Sequence, residues 1–183
     1  NLGYIPFHQK DYTQAQNWFR KYISLEKGEN KTALADAYNR IGDCYLDVRN
    51  FDEAKHYYSQ AEAMHTPSGD YSFYQLALVS GLQKDYSGKI TLLNRLAGKY
   101  PASPYAISAL YEKGRSYVLM DNNQQAIASF KELLAKYPES PVSRKAAAEI
   151  GLLYYQNEDY DQAINAYKQV VQKYPGSDEA RLA

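Results

Sequence analysis

The chain has 183 residues, and its 21 lysine and arginine residues balance its 21 aspartate and glutamate residues. A protein that binds nucleic acids usually carries a basic surplus, which this composition lacks. Hydrophobic residues make up 45% and charged residues 23% of the chain. These values are typical of globular domains and exclude a disordered tail, a collagen and a disulfide-stapled mini-protein. No apolar run approaches the roughly 18 residues that predict a membrane-spanning helix, so we expect no direct membrane insertion.

The ends of the chain carry little information about its compartment. The start, Asn1-Leu2-Gly3-Tyr4, lacks the basic residues and the hydrophobic stretch of a signal peptide. It resembles the middle of a helix instead, so we expect a piece of a longer protein from which any targeting signal has been removed. The lone Cys44 cannot form an internal disulfide.

A repeat of about 37 residues organises the chain. The segment Lys-Tyr-Pro recurs at residues 99–101, 136–138 and 173–175, and similar half-repeats precede each copy. Self-similarity at a fixed period is the signature of repeat architectures. In chain order, we predict repeats over residues 1–27 (partial), 32–66, 69–101, 104–138 and 141–175, and the start of a further helix over 177–183.

Each repeat is predicted to form two amphipathic helices. In the last repeat, residues at steps of three and four, such as Ile150 and Tyr154, mark the first helix, and Ala163 and Tyr167 mark the second. The Tyr-Pro pairs are expected to end the second helices, because proline disfavours a helical conformation in the preceding residue.

Two serines are predicted to start the next first helices. Ser103 and Ser140 each stand directly before a proline. A serine hydroxyl can cap a helix, and proline suits the first helical turn.

Small residues predict where the two helices of a repeat approach most closely. Gly114 or Gly151 in a first helix faces Ala126 or Ala163 in the second, where a larger side chain would hold the helices apart. Tyrosine and phenylalanine side chains would fill the space above and below. Much of the tyrosine content, 20 residues against 5 phenylalanines, is therefore expected to lie in the core.

Two repeats depart from this pattern. In the third repeat, Lys89 takes the place of the small residue and Ser80 that of the first-helix tyrosine, so we expect looser packing. In the first repeat, Pro6 takes the tyrosine place, and a kinked or frayed first helix is expected.

These residues resemble the tetratricopeptide repeat (TPR) family over essentially the whole chain. In that family a small residue in the first helix is followed by another 12 residues on, an aromatic 16 on and a proline 24 on. Two repeats meet all four conditions, with Gly114, Ala126, Phe130 and Pro138, and with Gly151, Ala163, Tyr167 and Pro175. The resemblance implies an all-α, right-handed superhelix, a solenoid of about five helix-turn-helix units in a single array over residues 1–183.

The period and the composition add a narrower resemblance. A 37-residue spacing exceeds the usual 34 of the family, and the extra residues lie in the Tyr-Pro-x-Ser-Pro links. Long links with abundant Gln, Asn and Tyr are similar to bacterial cell-envelope members, such as the Tol-Pal accessory protein and lipoproteins of outer-membrane protein assembly. This implies a periplasmic or outer-membrane-associated location, with a cytoplasmic location as the alternative.

The concave face of a helical solenoid is usually its recognition surface. The exposed stripe of the first helices gives the candidate groove residues Asp36, Asn39, Asp43, Tyr71, Tyr74, Leu78, Tyr111, Arg115, Lys145 and Tyr155. Tyrosine suits recognition because it offers a large rigid ring and a hydroxyl. We expect a peptide or protein segment whose basic part faces Asp36 and Asp43 and whose acidic part faces Arg115 and Lys145. The alternative is that the tyrosines are partly buried and the charges are solvated.

Catalytic and metal-binding motifs are lacking in the sequence. His8, His56 and His65 never take the i, i+4 spacing of a helical metal pair. There is no glycine-rich phosphate loop and no Gly-x-Ser-x-Gly elbow. We therefore predict a protein that is not an enzyme and needs neither cofactor nor metal.

The leading hypothesis is a non-catalytic scaffold for protein–protein interaction, within a bacterial envelope assembly. The alternative is a structural spacer or self-association module of a larger multidomain protein. Uncapped terminal repeats could form a homodimer, which we would expect to be an artefact of trimming. Nucleic-acid binding is disfavoured, because Asp36, Asp43 and Asp47 make the predicted concave face acidic.

Overall fold

The computed structural model describes residues 2–182, which form α-helices and no β-strand. The predicted all-α fold class is confirmed. The helices are α1 (Tyr4–His8), α2 (Tyr12–Leu25), α3 (Lys31–Asp47), α4 (Phe51–Ala63), α5 (Gly69–Leu82), α6 (Tyr86–Lys99), α7 (Ala106–Leu119), α8 (Asn123–Lys136), α9 (Pro141–Gln156), α10 (Tyr160–Lys173) and α11 (Asp178–Leu182). Odd-numbered helices are the first helices of their repeats, and even-numbered helices are the second helices.

The described residues form two compact units. The N-terminal unit ends at Ser103 and contains α1 to α6, and the C-terminal unit begins at Pro104 and contains α7 to α11. Within each unit, a first helix packs against the second helix of its own repeat and against that of the preceding repeat. This nearest-neighbour packing is the arrangement expected of stacked helical repeats.

The turns inside the repeats share one construction. An aspartate or asparagine caps each second helix by accepting a hydrogen bond from a backbone N–H three residues on, at Asp11, Asn50, Asp85, Asn122 and Asp159. The residue before each cap has a positive φ between 55° and 64°, at Lys10, Arg49, Lys84, Asp121 and Glu158. The repeat period therefore extends to the backbone geometry of the turns.

The links between repeats match the sequence prediction except at one point. As predicted, α6, α8 and α10 each end at the lysine of Lys-Tyr-Pro. The Ser140 hydroxyl accepts a hydrogen bond from the Val142 N–H and caps α9. The prediction for Ser103 is wrong, because α7 begins only at Ala106. The Ser103 hydroxyl donates instead to the Asp70 carboxylate at 2.7 Å, within the N-terminal unit.

The third repeat accommodates its lysine without the expected loosening at this position. Lys89 is only 7% exposed, and Leu93 beside it is 2% exposed. The lysine stem fills the space that Gly81 leaves, since a Cβ added to Gly81 would lie 2.8 Å from Lys89 Cδ. In the first repeat, α1 has five residues and includes the buried Pro6.

The glycines of the first helices lie against aromatic rings of the second helices. A Cβ added to Gly42 would lie 2.7 Å from the Tyr58 ring, and one added to Gly151 would lie 2.6 Å from the Tyr167 ring. The predicted close approach at the glycines is therefore confirmed. Its partner is the aromatic side chain 16 residues later in the sequence.

This packing predicts opposite effects for two Gly→Ala substitutions. A Cβ at Gly114 would overlap the ring of Phe130, which is fully buried and cannot swing away. We expect Gly114→Ala to lower the free energy of unfolding by about 1–3 kcal/mol. A Cβ at Gly98, on the exposed side of α6, meets nothing within 4 Å. Gly98→Ala is the matched control and should raise the stability by about 0.5–1 kcal/mol. Urea unfolding of both variants checks the prediction, and equal effects would contradict it.

Candidate protein-binding surface

Polar side chains on α1, α3 and α5 form a connected network around Arg40 in the N-terminal unit. Arg40 Nη1 lies 2.6 Å from Asp43 Oδ2, and Arg40 Nε lies 3.4 Å from Asp36 Oδ1. The guanidinium also lies over the Tyr71 ring, 4.9 Å from its centroid. The Tyr4 hydroxyl donates a hydrogen bond to the second oxygen of Asp36. One arginine thus compensates both predicted acidic residues.

The carboxylate of Asp43 is the most heavily engaged group of this network. Its Oδ1 accepts hydrogen bonds from the hydroxyls of Tyr58 at 2.7 Å and Tyr71 at 2.6 Å. Burial raises the pKa of Asp43 above its ordinary value, while the Arg40 charge and the two hydroxyls oppose that shift. Burial and the neighbouring Asp43 charge raise the pKa of both tyrosines. These rings are therefore held as neutral donors to one carboxylate.

The N-terminal unit departs from the predicted groove in two respects. Asn39 is only 2% exposed, and its Oδ1 accepts a hydrogen bond from the Ser72 hydroxyl at 2.9 Å. Asn39 therefore belongs to the packing between α3 and α5, and its placement on the groove surface is wrong. Asp36 and Asp43 do not present an open acidic surface, because Arg40 lies between them. Tyr74 and Leu78, on α5, are half-buried.

The first helices of the C-terminal unit present a more open surface. A cleft of about 330 Å³ is lined by Tyr111, Lys145, Ala148, Glu149, Leu152, Tyr167, Glu179 and Leu182. Leu152 is 42% exposed, although it is apolar. Lys145 is exposed and forms no ion pair within residues 2–182. Of the predicted groove residues, the structure brings Tyr111 and Lys145 together in this cleft.

Arg115 and Tyr155 lie near the cleft but have partners of their own. Arg115 Nη1 lies 3.0 Å from Glu149 Oε1, so its charge is compensated. Burial, and then the Glu149 charge, raises the pKa of Tyr111. Tyr155 is 58% exposed and packs edge-on against Tyr160, with ring centroids 5.6 Å apart. Lys145 is thus a more accessible cation than Arg115.

Sequence reasoning missed the residues that balance the predicted charges. Arg40 and Glu149 occupy the same repeat position, two residues before the first-helix glycines at Gly42 and Gly151. A comparison of charges at equal repeat positions could have found them. Arg40 is opposite in sign to Asp43 just after its own glycine, and Glu149 is opposite to Arg115 at that place in the preceding repeat.

Other classes of site find no support in the described part of the chain. Over residues 2–182, no group of three or more His, Cys, Asp or Glu side chains is arranged to hold a metal. Cys44 is buried, and burial raises the pKa of its thiol to about 12, so the thiol is protonated at neutral pH. None of the described helices combines the length and the apolar character that crossing a membrane requires.

Comparison with known sequences decides the family. A sequence profile described as Tetratricopeptide repeat matches residues 39–104 and 111–182, and a second profile of the same description matches residues 1–66. This chain belongs to the tetratricopeptide repeat family. A relative, the uncharacterized protein ycf37 of Guillardia theta, is 39% identical over 67 residues, and the match spans only 37% of each TPR chain.

Solved TPR structures share the fold of this chain. A crystal structure of MamA protein has a TM-score of 0.77 at 19% identity, covering 100% of this chain and 93% of that one. MamA from Desulfovibrio magneticus RS-1 gives 0.74 at 15% identity, over 97% and 94% of the two chains. YrrB, described as a TPR protein with an unusual peptide-binding site, gives 0.71 at 17% identity, over 98% and 87%. At these identities the likeness concerns the fold alone.

The tyrosines around Asp43 predict a loss of stability at alkaline pH. Their pKa is raised in the folded state, so above pH ~10 the unfolded chain releases phenolic protons that the folded chain keeps. The free energy of unfolding should therefore fall as the pH rises above ~10. The buried Tyr58 should contribute a slope of up to about 1.4 kcal/mol per pH unit.

Urea unfolding between pH 9 and 12 measures this slope, with the pH range set by the ordinary tyrosine pKa of ~10. We expect a shallower fall in Tyr58→Phe and in Tyr71→Phe, and about 1 kcal/mol lower stability at neutral pH from the lost hydrogen bond. Tyr160→Phe, which removes an exposed hydroxyl, is the matched control and should keep the wild-type slope. Identical slopes in all four proteins would refute the role assigned to the Asp43 network.

Proposed function

We propose that this TPR protein is a non-catalytic scaffold that binds a segment of a partner protein along the first helices of its repeats. The observation that carries the proposal is the cleft of the C-terminal unit. It combines exposed apolar side chains at Leu152 and Leu182, the rings of Tyr111 and Tyr167, and the accessible charge of Lys145. A few polar groups placed among apolar and aromatic walls are typical of recognition sites.

The cleft favours a particular chemistry in the bound segment. An apolar or aromatic side chain would bury the exposed part of Leu152, and a carboxylate of the segment would pair with Lys145. The proposal keeps the acidic end of the expected ligand and drops its basic end, because Arg40 already compensates Asp36 and Asp43. The TPR fold is a common scaffold for protein interaction, and the peptide-binding site named for YrrB gives a precedent within this fold.

We further propose a location in the bacterial cell envelope, in the periplasm or at the outer membrane. The support is the sequence resemblance in the long Tyr-Pro links, which end α6, α8 and α10. Immunoblotting of periplasmic, membrane and cytoplasmic fractions of the source cells tests this location. Recovery with a cytoplasmic marker would contradict it.

Peptide selection tests the binding cleft directly. A library of random peptides with free C-termini is selected on the immobilised protein, and the most enriched peptide is synthesised with a fluorescent label. We expect fluorescence anisotropy to show binding that Lys145→Glu and Leu152→Asp each weaken about tenfold or more, equivalent to about 1.4 kcal/mol. Removing the carboxylate of the peptide should weaken binding to the wild type but not to Lys145→Glu.

A charge-matched control separates the cleft from general electrostatics. Lys84 is exposed in the turn before α6, in the N-terminal unit. Lys84→Glu makes the same change of charge as Lys145→Glu and should leave peptide affinity unchanged. Equal losses in the two variants, or no peptide that depends on Leu152, would reject the cleft as the binding site.

A further inference from the structure

The N-terminal first helix exposes positions that other first helices bury. Leu2, one residue before Gly3, is 59% exposed, and Ile5, two residues after it, is 60% exposed. The same two positions in α3, α5 and α9 are 0 to 7% exposed, at Ile41 and Cys44, Leu76 and Val79, and Ile150 and Leu153. The face of Leu2 and Ile5 is therefore built like a packing surface but is left uncovered.

The buried counterparts show what normally covers this face. In α9, Ile150 and Leu153 belong to one core cluster with Ile127 and Phe130 of α8, the second helix of the preceding repeat. In α5, Leu76 and Val79 pack in the same way against Tyr58 of α4. The expected cover for Leu2 and Ile5 is thus the second helix of another TPR repeat.

A second helix with a matching uncovered face lies at the other end of the chain. Ile164 and Val171 on α10 are 51% and 46% exposed. Their counterparts 37 residues earlier are Ile127, which is 8% exposed, and Leu134, which packs in the same cluster. The chain therefore carries both halves of one inter-repeat interface, and neither half is covered.

The terminal helices also correspond to two parts of one first helix. Shifted by the 37-residue period, α11 corresponds to residues 141–145, the first five residues of α9. With Gly3 set on Gly151, α1 corresponds to residues 152–156, the last five residues of α9. Together they supply the beginning and the end of a complete first helix.

An apolar cleft marks the place where the beginning of that helix is missing. It has a volume of about 620 Å³, and Trp18, Tyr22 and Leu25 of α2 line it together with Ala33 and Ala37 of α3. In the third repeat, the early turns of α5 cover the end of the second helix, and the Phe73 ring lies 6.0 Å from that of Tyr100. The end of α2 has no such cover within the described residues.

We propose that copies of this chain associate head to tail. The α11 helix of one copy lies in the apolar cleft of the next, and Leu2 and Ile5 of that next copy pack on Ile164 and Val171 of the first. The contact reproduces the interface between neighbouring repeats inside the chain. Because it joins two different surfaces, it is heterologous and leaves a free half at each end of the assembly, so further copies can add. This association is independent of ligand binding in the cleft of the C-terminal unit.

Blocking each half separately tests the proposal. Ile5→Lys and Ile164→Lys place a charge on one exposed face each, where folding does not require burial. In sedimentation velocity across a concentration series, we expect the wild type to form dimers and larger species and each variant to stay monomeric. An equimolar mixture of the two variants should form dimers only, because one intact pair of faces remains. Leu119→Lys, at a residue that is 54% exposed outside both faces, should behave like the wild type.

Three results would overturn the proposal. The first is a wild type that stays monomeric up to the highest concentration at which it is soluble. The second is association that survives in both single variants, which indicates a different contact. The third is a mixture of variants that stays monomeric although the wild type associates. Circular dichroism melting of each variant shows that loss of association is not loss of folding.

Discussion

The contact between a first-helix glycine and an aromatic ring of the second helix is the constraint on which the rest of the structure depends. Gly42, Gly114 and Gly151 lie directly against Tyr58, Phe130 and Tyr167, so the two helices of each repeat can approach closely. Because this distance recurs and each turn has the same cap and the same positive φ, successive repeats present equivalent faces to one another. The identity of the other side chains is then free to vary, and it decides what each surface can do.

The two units use equivalent positions for different purposes. In the N-terminal unit, Arg40, Asp36 and Asp43 satisfy one another, so this polar surface is a stabilising network with little left to bind a partner. In the C-terminal unit, Lys145 replaces Asp36 at the equivalent position and Leu152 replaces Asp43, which leaves an accessible cation beside exposed apolar surface. The repeat therefore fixes where a recognition surface can form, and the residues at two positions decide in which unit it is open.

Much of the fold could be predicted from the sequence, because helix periodicity, Tyr-Pro stops and small–aromatic spacing are local or periodic signals. The helix ends at Tyr100, Tyr137 and Tyr174 and the glycine contacts are examples. The site was less predictable, because the state of a charge depends on side chains from several helices. Asn39 is buried by Ser72 on another helix, and Asp43 is compensated by Arg40 and by tyrosines from α4 and α5. Counting an exposed stripe on one helix cannot detect these partners.

The central claim is that the recognition surface lies in the C-terminal unit and that the Asp43 network is already saturated. Nuclear magnetic resonance of the isotope-labelled protein, titrated with a peptide selected for binding to it, tests this most directly. The account predicts backbone shift changes centred on Tyr111, Lys145 and Leu152, with the amides of Asp36 and Asp43 unchanged. Shift changes centred on Asp36 and Asp43, with the C-terminal unit silent, would contradict it.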